Sequence, residues 1–181
     1  MRDREKSASM FDASNMPALF FAPFVSSVMR LEPHWMDYNG HLNMAYYNVL
    51  FDNALGEALA LVGLAEDYVR DRNKSFFTGE AHVVYKRELK LDDLARVRLQ
   101  LVDFDEKRLH IVEELCHAVE GWVSATCELI SLHVDLETRK VVPFPDDILA
   151  NLELMRSSHG WLPRPSVVGR SIRMPQPLVT H

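Results

Sequence analysis

One long, almost wholly apolar helix is the feature of this sequence that most limits the folds it can adopt. Residues 42–61 repeat apolar side chains at steps of three and four, which is the period of an α-helix. The narrow polar face consists of Asn48, Asp52, Asn53 and Glu57. A helix with so little polar surface is expected to be largely enclosed by other elements.

Four runs of alternating apolar and polar residues follow the helix and predict what encloses it. The runs cover residues 81–85, 97–101, 109–119 and 122–134. Runs of this period, separated by short polar turns, are typical of antiparallel β-strands. A further short strand is predicted over residues 24–31, ahead of the helix. We therefore predict an α+β fold in which one long antiparallel sheet wraps around a single central helix.

Composition divides the chain into one folded domain and two ends. Residues 1–16 are polar and predict a flexible N-terminal segment, whereas residues 17–156 form the folded domain and close with a short helix from residue 146. Residues 157–181 are interpreted as an irregular basic tail, rich in Pro and Arg. Within the domain, residues 66–79 mix charges with Asn, Ser and Gly and are interpreted as a connecting segment.

Charge and apolar patterning narrow the classes of partner. A formal net charge of −6 argues against a nucleic-acid binder, which needs a basic excess. The basic tail is either a solvated extension or a contact for an anionic ligand such as a nucleotide phosphate. The apolar stretch 18–28 is broken by Pro23 and is too short to span a bilayer, and the charged N-terminus is unlike a secretory signal. We expect a cytoplasmic protein with no membrane or nucleic-acid partner.

The two cysteines predict core packing and no metal site. Cys116 and Cys127 both lie inside apolar runs, as expected of small core residues in a reducing compartment. The chain has no CxxC or HExxH spacing, so no structural or catalytic metal is expected.

A cluster of polar residues around one glycine stands directly before the long helix. It consists of Asp37, Asn39, Gly40, His41 and Asn43. A carboxylate in this position can attack an activated acyl group or activate water, while the positive N-terminal end of the helix holds a developing oxyanion. The alternative is a turn with a helix cap, because Asp, Asn and Gly are common before helices.

The members of this cluster have distinct candidate roles. Gly40 permits a positive φ or a close backbone approach, and either suits an oxyanion site. His41 either orients the carboxylate or water, or is an ordinary first-turn histidine. Asn39 and Asn43 either position the substrate or lytic water, or form the turn and the cap.

The motif and the order of elements together resemble a known family. Asp37-Tyr38-Asn39-Gly40-His41-Leu42-Asn43, followed by Tyr46-Tyr47, is similar to the motif of hotdog-fold acyl-CoA thioesterases of the 4-hydroxybenzoyl-CoA thioesterase-like branch. The likeness covers about residues 24–155. Segments 85–88, 101–109 and 132–135 further resemble the betainyl-CoA thioesterases of carnitine breakdown, some of which are fused to a carnitine dehydrogenase.

The resemblance implies a fold, an activity and roles for particular residues. Residues 17–156 would be a hotdog thioesterase domain that hydrolyses a short or polar acyl-CoA, with betainyl-CoA as a candidate, and that needs no cofactor because CoA is part of the substrate. Asp37 would be the catalytic carboxylate, as nucleophile or as general base, and the backbone N–H near Gly40 or His41 would hold the thioester oxygen. The exposed edge of a long sheet also predicts a homodimer or homotetramer.

A betainyl group would need aromatic faces, since its quaternary ammonium has no N–H to donate. Trp35 and Tyr38, which flank Asp37, are the first candidates for such a cage, although any single aromatic could simply belong to the core. Further candidates are Tyr46, Tyr47, Phe76 and Trp122.

Two alternative functions remain open at this point. Hotdog enoyl-CoA hydratases carry Asp-x-Asn-Pro-x-His, with the acid and the histidine five residues apart. In this chain Asp37 and His41 are four apart and Gly40 replaces the proline, which disfavours a hydratase. The second alternative is a non-catalytic acyl-CoA-binding module. For each of these functions, the positive charges of Lys86 and Arg87 make them candidates for contacts with the CoA nucleotide.

Overall fold

The predicted sheet around one helix is present in the computed structural model, which describes residues 20–174. The strands are β1 (Phe24–Val25), β2 (Met29–Arg30), β3 (Lys74–Tyr85), β4 (Leu94–Phe104), β5 (Arg108–His117), β6 (Val123–Asp135) and β7 (Lys140–Val141). Their order across the antiparallel sheet is β1-β4-β5-β6-β3, with β2 added to β4 and β7 to β6. This arrangement confirms the predicted hotdog fold.

Helix α1 (Met44–Ala60) packs across the inner face of β4 and β5. Its contact face includes Leu50, Ala54 and Leu55, which are fully or almost fully buried. The inward side chains of the strands are equally buried, because alternate residues of a strand point to the same face. They are Val97, Leu99, Leu109, Ile111 and Leu115.

The helix is less enclosed than its sequence predicts. Met44 is 66% exposed and Val49 is 38% exposed, beside the polar residues that were expected to face solvent. An apolar strip therefore lies open along one side of α1 in the single chain. The sheet covers the other side only.

Interpreting residues 66–79 as a connecting segment was wrong. The segment forms helix α2 (Glu66–Arg72) and the first half of β3. Tyr68 is buried and its hydroxyl lies 2.8 Å from Nε2 of His133, so a tertiary contact holds a helix that has no apolar period. Acidic residues in the first turn and arginines in the last also suit the helix dipole.

The first predicted strand, 24–31, is divided in two. The backbone N–H of Val97 donates to the hydroxyl Oγ of Ser26, at 3.0 Å, where a continuous strand would offer a carbonyl. The Ser26 hydroxyl thus replaces a backbone acceptor at one position of the pairing with β4, and this separates β1 from β2.

Helix α3 (Asp146–His159) runs three residues beyond the predicted end at residue 156. His159 is fully buried at its end, and its Nδ1 accepts a hydrogen bond from the N–H of Leu101, at 2.9 Å. Residues 160–174, within the predicted tail, contain no helix or strand. The predicted flexible segment 1–16 and the last residues of the tail lie outside the described residues.

The structure of residues 20–174 also describes the two cysteines, the metal-ligating side chains and the length of the helices. Cys116 and Cys127 are free and buried, as predicted. Across the same span, no group of three or more His, Cys, Asp or Glu side chains is placed to hold a metal ion. None of the helices found there has the length and apolar character needed to cross a membrane.

Candidate active site

A tight loop fixes Asp37 immediately before α1. The N–H of Asp37 donates to the carbonyl of His41 at 2.9 Å, and the N–H of Gly40 donates to the carbonyl of Asp37 at 3.0 Å. Gly40 has a φ of +77°, a conformation that side chains disfavour, so glycine suits this turn. Each end of the loop is also paired, through a bridge between Met36 and Leu42.

The Asp37 carboxylate is held by the same loop. Its Oδ1 accepts hydrogen bonds from the backbone N–H of Asn39, at 2.8 Å, and of His41, at 3.2 Å. Partial desolvation raises the pKa of Asp37, but these two hydrogen bonds and the amide of Asn39 outweigh it and leave the pKa below its ordinary value. Asp37 is therefore an oriented, ionised and partly exposed carboxylate at neutral pH.

The start of α1 provides a cap and a free donor. Asn43 is the N-cap, and its Oδ1 accepts a hydrogen bond from the N–H of Ala45 at 3.0 Å. Met44 is the first helical residue, and its N–H finds no acceptor within the described part of the chain. The first N–H groups of a helix carry partial positive charge, so this end of α1 suits an anion or a polarised carbonyl.

Asp37 opens onto a cavity of about 500 Å³ between the start of α1 and the end of β3. Tyr47 and Tyr85 meet edge to face in this region, with ring centroids 5.0 Å apart. The segment after β3 brings two cations to the same cavity. Its lining residues are Asp37, Leu42, Asn43, Met44, Tyr47, Tyr85, Lys86, Arg87 and Glu88.

The structure brings some predicted site residues together and leaves others apart. Asp37 and Asn43 line the cavity, whereas Asn39, Gly40 and His41 form the turn behind it and are not among its lining residues. The N–H groups of Gly40 and His41, predicted to hold the thioester oxygen, are bonded to Asp37 itself.

The predicted aromatic candidates lie in different surroundings. Trp35 stacks on Tyr46, with ring centroids 5.4 Å apart, whereas Tyr38 is 97% exposed. Trp122 lies under the guanidinium of Arg87, 4.0 Å from ring centroid to Cζ. Within the described single chain these rings do not form one cage.

A second cavity, of about 340 Å³, lies further along α1, between this helix and β3. Sequence reasoning passed over its most unusual member, Glu113, which is fully buried. The available signal was its phase: it takes an inward position in β5, in line with Leu109, Ile111 and Leu115. The lining residues are Asn48, Val49, Phe51, Asp52, Leu55, Thr78, Ala81, Glu113, Cys127 and Leu129.

Comparison with known proteins agrees with this geometry. The family model of the thioesterase-like superfamily matches residues 31–152, which include the Asp37 loop, α1 and the long strands. The chain belongs to the thioesterase-like superfamily.

Two curated relatives of this superfamily member carry related names. The chain is 38% identical to a betainyl-CoA thioesterase of Pseudomonas aeruginosa over 143 residues, which cover 79% of this chain and 90% of the relative. It is 36% identical to an L-carnitine dehydrogenase/betainyl-CoA thioesterase of Rhizobium meliloti, over 76% of this chain but only 28% of that longer protein.

Solved structures support the same assignment. A putative thioesterase from Pseudomonas putida superposes with a TM-score of 0.71 at 31% identity and covers 86% of this chain and 99% of its own. A hypothetical protein from Staphylococcus aureus, solved in complex with CoA, superposes with a TM-score of 0.79 at 25% identity, over 88% of this chain and 100% of its own.

Proposed function

We propose that this superfamily member is an acyl-CoA thioesterase that hydrolyses a short or polar acyl-CoA to the free acid and CoA. The observation that carries the proposal is an ionised, oriented Asp37 carboxylate that opens onto a cavity beside the start of α1. The names of the Pseudomonas aeruginosa and Rhizobium meliloti relatives make betainyl-CoA the first substrate to test.

Asp37 supplies the chemistry in this proposal. A thioester is already activated, so hydrolysis needs a positioned nucleophile and stabilisation of the oxygen that becomes negative. Asp37 either attacks the carbonyl carbon or takes a proton from the attacking water. Neither route requires a cofactor, because CoA enters as part of the substrate.

The thioester oxygen has candidate donors at the start of α1. The N–H of Met44 has no acceptor among the described residues, and it belongs to a residue that lines the Asp37 cavity. The N–H of Gly40 or His41 could serve only by exchanging its present bond to Asp37. In other hydrolases, removing one such donor lowers turnover by roughly 100- to 1000-fold.

The cationic rim of the cavity fits the nucleotide part of CoA. Lys86 and Arg87 are exposed and line the same cavity as Asp37. The guanidinium of Arg87 is held over the Trp122 ring, which orients it while leaving its N–H groups to meet phosphate. We place the CoA phosphates at this rim.

The sheet edge supports the predicted homodimer or homotetramer. In residues 20–174, β3 pairs with β6 on one side only, and Phe77 on this edge strand is 51% exposed. A second copy that pairs along β3 would cover this edge and part of the apolar strip. Sedimentation velocity of the full chain should give at least twice the chain mass. A monomer at enzyme-assay concentrations would overturn the assembly proposal.

The decisive test of the activity is thiol release from a panel of acyl-CoAs that includes betainyl-CoA. Asp37→Asn keeps the size of the side chain but removes the charge, and we expect it to lower kcat by roughly 1000-fold or more. The matched control is Asp92→Asn, an exposed acid in the turn before β4, which should retain wild-type turnover.

Two outcomes would contradict the thioesterase assignment. Wild-type turnover in Asp37→Asn would remove the proposed chemistry. Hydration of crotonyl-CoA without thiol release would indicate the enoyl-CoA hydratase instead. A thermal unfolding midpoint close to that of wild type would show that the Asp37→Asn chain is folded.

A further inference from the structure

Glu113 is a carboxylate in the core without a partner. It lies on β5 facing α1, is fully buried, and neither Oε1 nor Oε2 has a hydrogen-bond partner within residues 20–174. Its neighbour Glu114 points the other way and pairs with Arg98, at 2.8 Å. Of these two consecutive glutamates, Glu114 therefore has an ion-pair partner, whereas the Glu113 carboxyl group has no hydrogen-bond partner among the described residues.

An unsatisfied buried carboxylate costs free energy, and a positively charged ligand beside it would offset that cost. Burial, and then the negative charge of Asp52, raise the pKa of Glu113 well above its ordinary value. The acid form is favoured while the cavity holds no cation. A cation beside it would restore the carboxylate by direct attraction.

The cavity that Glu113 lines has the walls that a methylated cation needs. Val49, Phe51, Leu55 and Leu129 supply apolar surface around it. A quaternary ammonium presents methyl groups rather than N–H donors, so it packs on apolar walls and interacts with a carboxylate through charge alone.

The Glu113 cavity begins one helical turn beyond the Asp37 cavity along α1. Met44 lines the Asp37 cavity and Asn48 lines the Glu113 cavity, and these residues are one helical turn apart, about 6 Å along the axis. Asp52, one further turn along, is exposed and adds a second negative charge to the same lining.

We infer that Glu113, assisted by Asp52, forms an anionic pocket for the cationic head of a short quaternary-ammonium acyl group. The inference rests on the proposed thioesterase function and specifies its substrate class. It assigns the recognition of charge to β5 and the middle of α1, rather than to the aromatic residues that flank Asp37.

The other titratable group in the lining does not compete for this role. Burial, and then the negative charges of Glu113 and Glu128, raise the pKa of the Cys127 thiol to about 12. Cys127 therefore stays a neutral thiol and contributes only bulk to the pocket. The cationic and anionic parts of the substrate would thus meet two different cavities along α1, the ammonium at Glu113 and the phosphates at Lys86 and Arg87.

A pair of substrates of equal shape tests the inference. Betainyl-CoA and 3,3-dimethylbutanoyl-CoA differ by a positive nitrogen in place of a quaternary carbon. We expect wild type to prefer the cationic substrate in kcat/KM, and Glu113→Gln to lower that preference by about 30-fold or more, since one partner of a buried charge pair is lost. Glu114→Gln is the matched control, and it should leave the preference within about twofold of wild type.

The outcomes separate this inference from the proposed function. A wild type that hydrolyses both substrates without preference, or a folded Glu113→Gln that keeps the preference, overturns the pocket and leaves the thioesterase standing. Absence of thiol release from every acyl-CoA overturns both. Should Glu113→Gln fail to fold, Asp52→Asn decides: a severalfold loss of preference supports the pocket, and an unchanged preference overturns it.

Discussion

The fold places two carboxylates beside the same helix in opposite environments. Asp37 lies in a loop at the start of α1, partly exposed, with its Oδ1 bonded to two backbone N–H groups. Glu113 lies under the middle of α1, fully buried and without a hydrogen bond in the described chain. Hydrogen bonds hold the pKa of Asp37 below its ordinary value, whereas burial raises the pKa of Glu113 well above it.

The contrast shows how environment divides tasks between similar groups. Asp37 is satisfied and ionised before any ligand arrives, as a nucleophile or base should be. Glu113 is unsatisfied until a positive charge arrives, so it is suited to recognition and unsuited to structural support. We therefore expect different effects at the two carboxylates. Only the uncompensated Glu113 should lower the stability of the ligand-free protein.

The largest effect on stability is expected from Glu113→Gln. The pKa of Glu113 in the folded state lies well above its ordinary value of 4.5 because the side chain is buried. The folded chain therefore holds a proton that the unfolded chain releases as the pH rises. Wild type therefore loses stability from about pH 4.5 upward, until the pH reaches the folded pKa. Glu113→Gln removes this loss, and urea unfolding at pH 8 should show a gain of about 1–3 kcal/mol.

The pH dependence of that gain is its control. At pH 4 and below, Glu113 is protonated in both states, so the difference between the variant and wild type should shrink towards zero. Glu114→Gln, on the opposite face of β5, should show no such trend. A gain that is equal at pH 4 and pH 8, or a loss at pH 8, would contradict an uncompensated carboxylate at position 113.

Much of the fold could be predicted because hydrophobic period reports burial directly. The periods in residues 42–61, 109–119 and 122–134 predicted α1, β5 and β6 to within two residues at each end. The run 97–101 predicted only the middle of β4, and the run 81–85 only the last part of β3. Helix α2 was missed because its buried contact, Tyr68 with His133, joins residues far apart in the sequence, and such a contact leaves no local pattern. The division of the first strand at Ser26 has the same cause, a side-chain hydrogen bond to Val97.

The same distinction between local pattern and distant contact applies to the candidate site. The Asp37 loop could be predicted because consecutive residues build it, and a turn with a cap has its own local signature. The second cavity could not be predicted, because its lining residues come from four elements, α1, β3, β5 and β6, that are distant in the sequence. Only the phase of Glu113 within β5 was visible in the sequence, and a lone acid at an inward position is easily assigned to the solvent face.

The smallest of these effects on stability is expected from Asn43→Ala, at the start of α1 beside Asp37. Asn43 caps α1 through the N–H of Ala45, and loss of such a cap costs about 1 kcal/mol in proteins. Urea unfolding should show this loss equally at pH 4 and pH 8, since an amide does not titrate, which separates it from the pH-dependent change at Glu113. Asn53→Ala, an exposed amide in the middle of the same helix, should cost nothing, because alanine favours a helix. Equal losses at Asn43 and Asn53 would mean that the start of α1 is not held by its cap, and the positive end of the helix would then lose its fixed place beside Asp37.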